Sequence, residues 1–149
     1  MNFRNLLMAI ATITMVFASA VAHAETTVKN AWVRASVGTD RPTAGYAEIT
    51  NSGTQDDVLL SVSTPVAMMT ELHKSTDENG VMKMEPVKNL DIPAGKSVTL
   101  EPGAYHLMIM QLMKPLKEGD TVDLVFTFKN QGPVKVAAKV LPLSAERMP

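Results

Sequence analysis

Beyond residue 24 the chain runs in short stretches where hydrophobic and polar residues alternate, each closed by turn-forming residues. "TVDLVFTFK" shows the pattern most plainly: Val122, Leu124, Phe126 and Phe128 alternate with Thr121, Asp123, Val125 and Thr127. A period of two marks a strand with one buried face. Comparable stretches are "TVKNAWVRA", "AGYAEITN", "DVLLSVST", "MTELHKS", "VMKMEPV", "SVTL", "YHLMIMQL" and "VKVAAKVLP". Between them lie "GTDRPT", "NSGTQD", "TDENG", "IPAGK", "EPGA", "KPLKEGD" and "NQGP", rich in the residues that turns require. No segment here carries a helical period, and no repeat recurs. The spacing predicts an all-β single domain, a β-sandwich or Greek-key barrel. The closing "LSAERMP" reads as a loose tail.

The first 24 residues follow another rule. Arg4 precedes an apolar stretch from Leu6 to Val21, and Ala22-His23-Ala24 offers a small-x-small cleavage site. This is the layout of a secretory signal, cut after Ala24. The apolar run is short for a membrane span of about 20 residues. Domain boundaries are therefore 1–24 for the signal and 25–149 for the folded domain. The 149 residues contain no cysteine, which excludes a disulfide framework and a lipid anchor on cysteine. The charge is nearly balanced, at −1 for the whole chain. That gives no reason to expect nucleic acid or anionic membrane as a partner. The mature chain is expected to be soluble, without a membrane span, and monomeric.

Histidine and methionine carry the candidate chemistry. After the signal only His73 and His106 remain, and of eight methionines all but Met148 fall between Met68 and Met113. In "GAYHLMIM" the alternation puts Tyr105, Leu107 and Ile109 on one face, as core, and His106, Met108 and Met110 on the other. "TELH" and "VMKM" flank the turn "TDENG", so a hairpin can bring His73 near Met84. If the "YHLMIM" strand passes that hairpin, two imidazoles and two thioethers can converge. Neutral thioethers favour Cu(I) over zinc or hard cations. A blue-copper electron-transfer site needs a cysteine, and a c-type haem needs Cys-x-x-Cys-His; both are excluded.

The competing reading makes the methionines flexible core filler and the protein a structural or adhesion β-sandwich. Met82, Met110, Met68, Met69 and Met113 are assigned to core or rim, with Met82 and Met110 as possible outer shell. Glu71 shares a strand face with His73 and can orient its ring, although a solvated carboxylate is the simpler expectation. No nucleophile elbow or phosphate loop points to an enzyme.

The spacing His73–Met84–His106–Met108 resembles the H-x10-M-x21-H-x-M signature of the PCuAC-type periplasmic copper chaperones. The likeness extends through "NAWVRAS", "AGYAEITNSGTQDDVLL", "MTELHKS", "NGVMKMEPV", "IPAGKSVTLEPGAYHLMIMQLMKPLKEGD" and "VDLVFTF". The resemblance implies a cupredoxin-like sandwich without the cupredoxin cysteine. It also implies one accessible Cu(I) per chain, bound by His73, Met84, His106 and Met108. It further implies a periplasmic carrier supplying the CuA centre of cytochrome c oxidase, alongside a thiol-containing assembly factor. A periplasmic copper buffer without a dedicated acceptor would use the same residues. The tail has no histidine, so the second, Cu(II) site of some family members is not expected.

Overall fold

A computed structural model of the chain describes residues 25–149; the expected signal, with His23, lies outside the described residues. Ten strands and no helix make up the described residues, as the alternating pattern predicts. They are β1 (Thr26–Arg34), β2 (Thr43–Asn51), β3 (Asp57–Ser63), β4 (Ala67–Glu78), β5 (Val81–Pro86), β6 (Leu90–Ile92), β7 (Ser97–Leu100), β8 (Tyr105–Leu112), β9 (Thr121–Phe128) and β10 (Gly132–Leu141). Only β6 has no counterpart in the sequence reading; three residues are too few to show a period.

Hydrogen bonding runs in the order β5-β4-β8-β2-β1-β10-β9-β3-β6, with β7 also on β2. The β1–β10 pair is parallel; all other pairs are antiparallel. The path curls until β3, near one end, lies against β4, near the other. Between them is a groove of about 350 Å³ lined by Leu59–Val62, Thr70–Leu72 and Pro86–Lys88.

The core sits inside this curl. Val122, Leu124, Phe126 and Phe128 are all buried, as are Leu107 and Ile109 on β8. Burying such side chains contributes about 1.5–3 kcal/mol each. One polar knot fixes the far end. Asp57 Oδ1 accepts from the N–H groups of Val58 and Asn130, and Oδ2 from Thr26 Oγ1 and the Gln131 N–H. Burial works to raise the Asp57 carboxyl, but these hydrogen bonds outweigh it and hold it below the ordinary carboxylate value.

The C-terminal segment is not loose. Arg34 Nε donates to the Ala145 carbonyl at 2.9 Å, and Glu146–Pro149 line a hollow with Trp32. The tail's partner there is Trp32, whose ring lies tilted against that of Tyr46 with centroids 4.3 Å apart.

Candidate metal centre

Three neighbouring strands, β5, β4 and β8, build the site. β4 and β5 join through Asn79 and Gly80, both at positive φ (57° and 81°). Two such residues make the tight hairpin turn that matches strand twist. The register places Met84 opposite Ser75 and Met82 opposite Asp77. On the other side of β4, His73 lies directly opposite His106, Glu71 opposite Met108, and Met69 opposite Met110. Directly opposed residues share a face, so all of these stand on one face of the three strands. Leu107 and Ile109 anchor the other face of β8 in the core.

The two imidazoles are held in complementary ways. Their centroids are 5.9 Å apart with the planes tilted by 59°. His73 Nε2 is 2.9 Å from Glu71 Oε2, and His106 Nδ1 is 3.1 Å from the Ala104 carbonyl. Carboxylate and carbonyl oxygens only accept, so each of these ring nitrogens carries the proton and donates. That leaves a bare lone pair on His73 Nδ1 and on His106 Nε2. Both atoms are buried without a hydrogen-bond partner. A buried, unpaired polar atom is costly, and here two of them stand on directly opposed residues. The ring separation is one that an ion about 2 Å from each nitrogen can span.

The geometry brings the histidines together and leaves the methionines at graded exposure. Met108 is half-buried one row from the histidine pair, beside Ala44 of β2. Met84 lies one row away in the opposite direction, on edge strand β5, and is 58% exposed. Met82 is equally open, and Met68, Met69 and Met113 are exposed as well. These five are rim, not core, which removes the main support for the core-filler reading. Met82 and Met84 lie on β5, where every residue is exposed, while Ala67 of β4 and Leu107, Ile109 and Leu112 of β8 supply the core.

His106, by contrast, is buried at 4% exposure on the outer face. Tyr46 follows Ala44 on that same face, so Trp32, Tyr46, His106 and His73 extend across it. Burial pushes the Tyr46 phenol above its ordinary value against the pull of Arg34. The Arg34 guanidinium lies over the Tyr46 ring at 5.6 Å. Glu71 is exposed, as the sequence reading favoured, and its carboxylate also orients the His73 ring by accepting from Nε2. The Ala104 carbonyl does the same for His106 and, as a backbone group, left no sequence signal. Among the described residues no three His, Asp or Glu side chains group as a metal site; the thioethers nearest the pair in register are those of Met84 and Met108.

Residues 26–140 match the LpqE-like family. The chain belongs to that family. A relative from Leifsonia xyli subsp. xyli, named "Putative lipoprotein Lxx21020", is 30% identical over 118 residues, covering 78% of this chain and 70% of that protein. Both the family and this relative are named as putative lipoproteins, which agrees with export. Among solved structures, the apo PCuAC domain of PmoF2 superposes with a TM-score of 0.70 at 20% identity, covering 85% of this chain and 98% of that one. The solution structure of CuI-DR1885 from Deinococcus radiodurans is 32% identical with a TM-score of 0.59, covering 87% of this chain and 84% of that one. The all-β fold is thus the cupredoxin-like fold of PCuAC domains. Among the described residues no helix is long and apolar enough to cross a membrane.

Proposed function

We propose that this LpqE-like protein is an exported Cu(I) carrier without catalytic activity. It binds one Cu(I) per chain tightly, through His73 Nδ1, His106 Nε2 and the thioethers of Met84 and Met108. The observation that carries this reading is the pair of bare, buried ring nitrogens on directly opposed residues. The 32% identical DR1885, solved as its CuI form, and the PmoF2 PCuAC domain, solved copper-bound, support the choice of ion. Soft, neutral ligands favour the same choice.

The carrier works by ligand exchange. Met84, on an exposed edge strand, leaves first and opens a position for an acceptor's ligand; the buried histidines let go last. The signal at 1–24 directs a monomeric carrier to the periplasm. The recipient is the CuA centre of a cytochrome c oxidase subunit, reached directly or through a thiol-containing assembly factor.

An anaerobic Cu(I) titration against a chromophoric chelator tests the site, with a His106→Ala, Met108→Ala variant whose fold is checked by circular dichroism. One tight equivalent in the wild type, lost in the folded variant, is expected. Equal chelator competition by both proteins would refute the site. Unchanged oxidase activity after gene deletion would refute the acceptor and leave a copper buffer.

A further inference from the structure

The outer face of β4 and β8 does not end its sulfur ligands at Met108. The register continues from His73·His106 through Glu71·Met108 to Met69·Met110. Each row is two residues, or about 7 Å, from the next. We infer that Met69 and Met110, with Met108 as a third donor, form a second and weaker Cu(I) station that passes the ion to the histidine pair.

Met110 is fixed toward solvent from both sides. Ile109 before it is fully buried in the core. Gln111 after it adopts φ 54°, a left-handed conformation that returns Leu112 to the core. Met69 is 43% exposed opposite it. Side chains directly opposed on antiparallel strands have Cβ atoms about 4.5–5.5 Å apart, and two flexible thioether arms can close that gap on one ion. Such a donor set has no charge and no proton to lose, and it selects a soft monovalent cation.

Met108 lies one row from each station and can serve either. An ion moving between them would keep a sulfur ligand throughout. The Glu71 carboxylate stands in the same middle row and places negative charge between the two positions. Core packing does not account for the Met69·Met110 pair, since Met69 lies outside the buried cluster and Met110 is half-buried. The direction of transfer rests on the proposed carrier function; the station itself rests on the methionines.

The test is an anaerobic titration of the purified chain with Cu(I), supplied as its acetonitrile complex, against chelators of graded strength. Wild type, a Met69→Leu, Met110→Leu variant and a His106→Leu variant are compared. Two equivalents are expected in the wild type, one tight and one weaker. The double methionine variant should keep the tight equivalent, which also reports its fold, and bind the second at least tenfold more weakly. His106→Leu should lose the tight equivalent and keep the weaker. A single wild-type equivalent, or a second one that survives the methionine substitutions, would overturn the station. Loss of both equivalents in a folded methionine variant would also overturn it, by merging the methionines into one site. If only a weak equivalent binds and the methionine variant abolishes it, the station stands and the histidine carrier fails. Met69→Leu alone, at an exposed position, serves if the double variant does not fold.

Discussion

Replacing His106 by leucine should make the metal-free protein more stable, although the residue is buried. In the wild type, His106 Nε2 is buried without a partner, at a cost of roughly 1–3 kcal/mol. Leucine removes that cost and fills a comparable volume. What is lost is the hydrogen bond from Nδ1 to the Ala104 carbonyl, a net contribution of about 0.5–1.5 kcal/mol. The carbonyl is not orphaned, because it still accepts from the Ser75 N–H at 3.1 Å. The balance is a gain of about 1 kcal/mol, seen as a higher urea midpoint at unchanged slope.

With Cu(I) buffered near 1,000 times the dissociation constant of the histidine site, the wild type should gain about 4 kcal/mol more than the variant, and the order of stability reverses. Urea unfolding followed by circular dichroism, with a strong chelator and then with buffered Cu(I), reads both limbs. A metal-free variant less stable than wild type by 1 kcal/mol or more would refute the reasoning, since Nε2 would then have a partner in solution. Parallel gains with Cu(I) in both proteins would remove His106 from the site.

Met84→Leu lies on a fully exposed strand and should change stability by no more than about 0.5 kcal/mol while weakening Cu(I) at least tenfold in the chelator assay. Glu71→Ala releases the His73 ring and should cost about 10–100-fold in Cu(I) affinity, with the circular dichroism spectrum unchanged. Asp57→Ala leaves three backbone N–H groups and a hydroxyl without their acceptor and should destabilise by roughly 3 kcal/mol in urea unfolding, with little effect on copper. Because the Asp57 carboxyl is lowered in the fold, its contribution is complete above the ordinary carboxylate range. It fades as pH falls through that range toward the lowered folded value. The stability–pH curve of Asp57→Ala should accordingly be flatter on its acid side; an acid limb as steep as wild type would refute the knot's role.

The alternating stretches made most of the fold legible, because a period of two with one apolar set dictates which face turns inward. β8 matched its predicted span, and Leu107 and Ile109 are core as their alternation requires. The sequence could not show that His106, on the opposite face, would also be buried. That depends on β2 and β4 flanking β8, a long-range pairing with no local signature. Nor could spacing alone pair His73 with His106, since a shift of one residue along β4 would put them on different faces. Glu71 was visible as a neighbour of His73, but its distance to Nε2 was not. The tail failed to read as ordered because its anchor, Arg34, is far away in sequence.

The candidate site divides its ligands by mechanical support, and that division suits a carrier better than a store. The histidines sit on β4 and β8, each paired with a strand on both sides, each ring locked by one hydrogen bond and backed by a strand with core residues on its other face. They are preorganised, so binding orders little there. Met84 sits on the edge strand, where every residue is exposed and pairing exists on one side only, and local opening is least costly at such edges. A site that held copper permanently would bury all its ligands alike. A site that must release the ion to another protein needs one ligand that detaches without disturbing the rest. In the proposed carrier that ligand is Met84, on the exposed strand of the β4–β5 hairpin, while His73 and His106 stay in register.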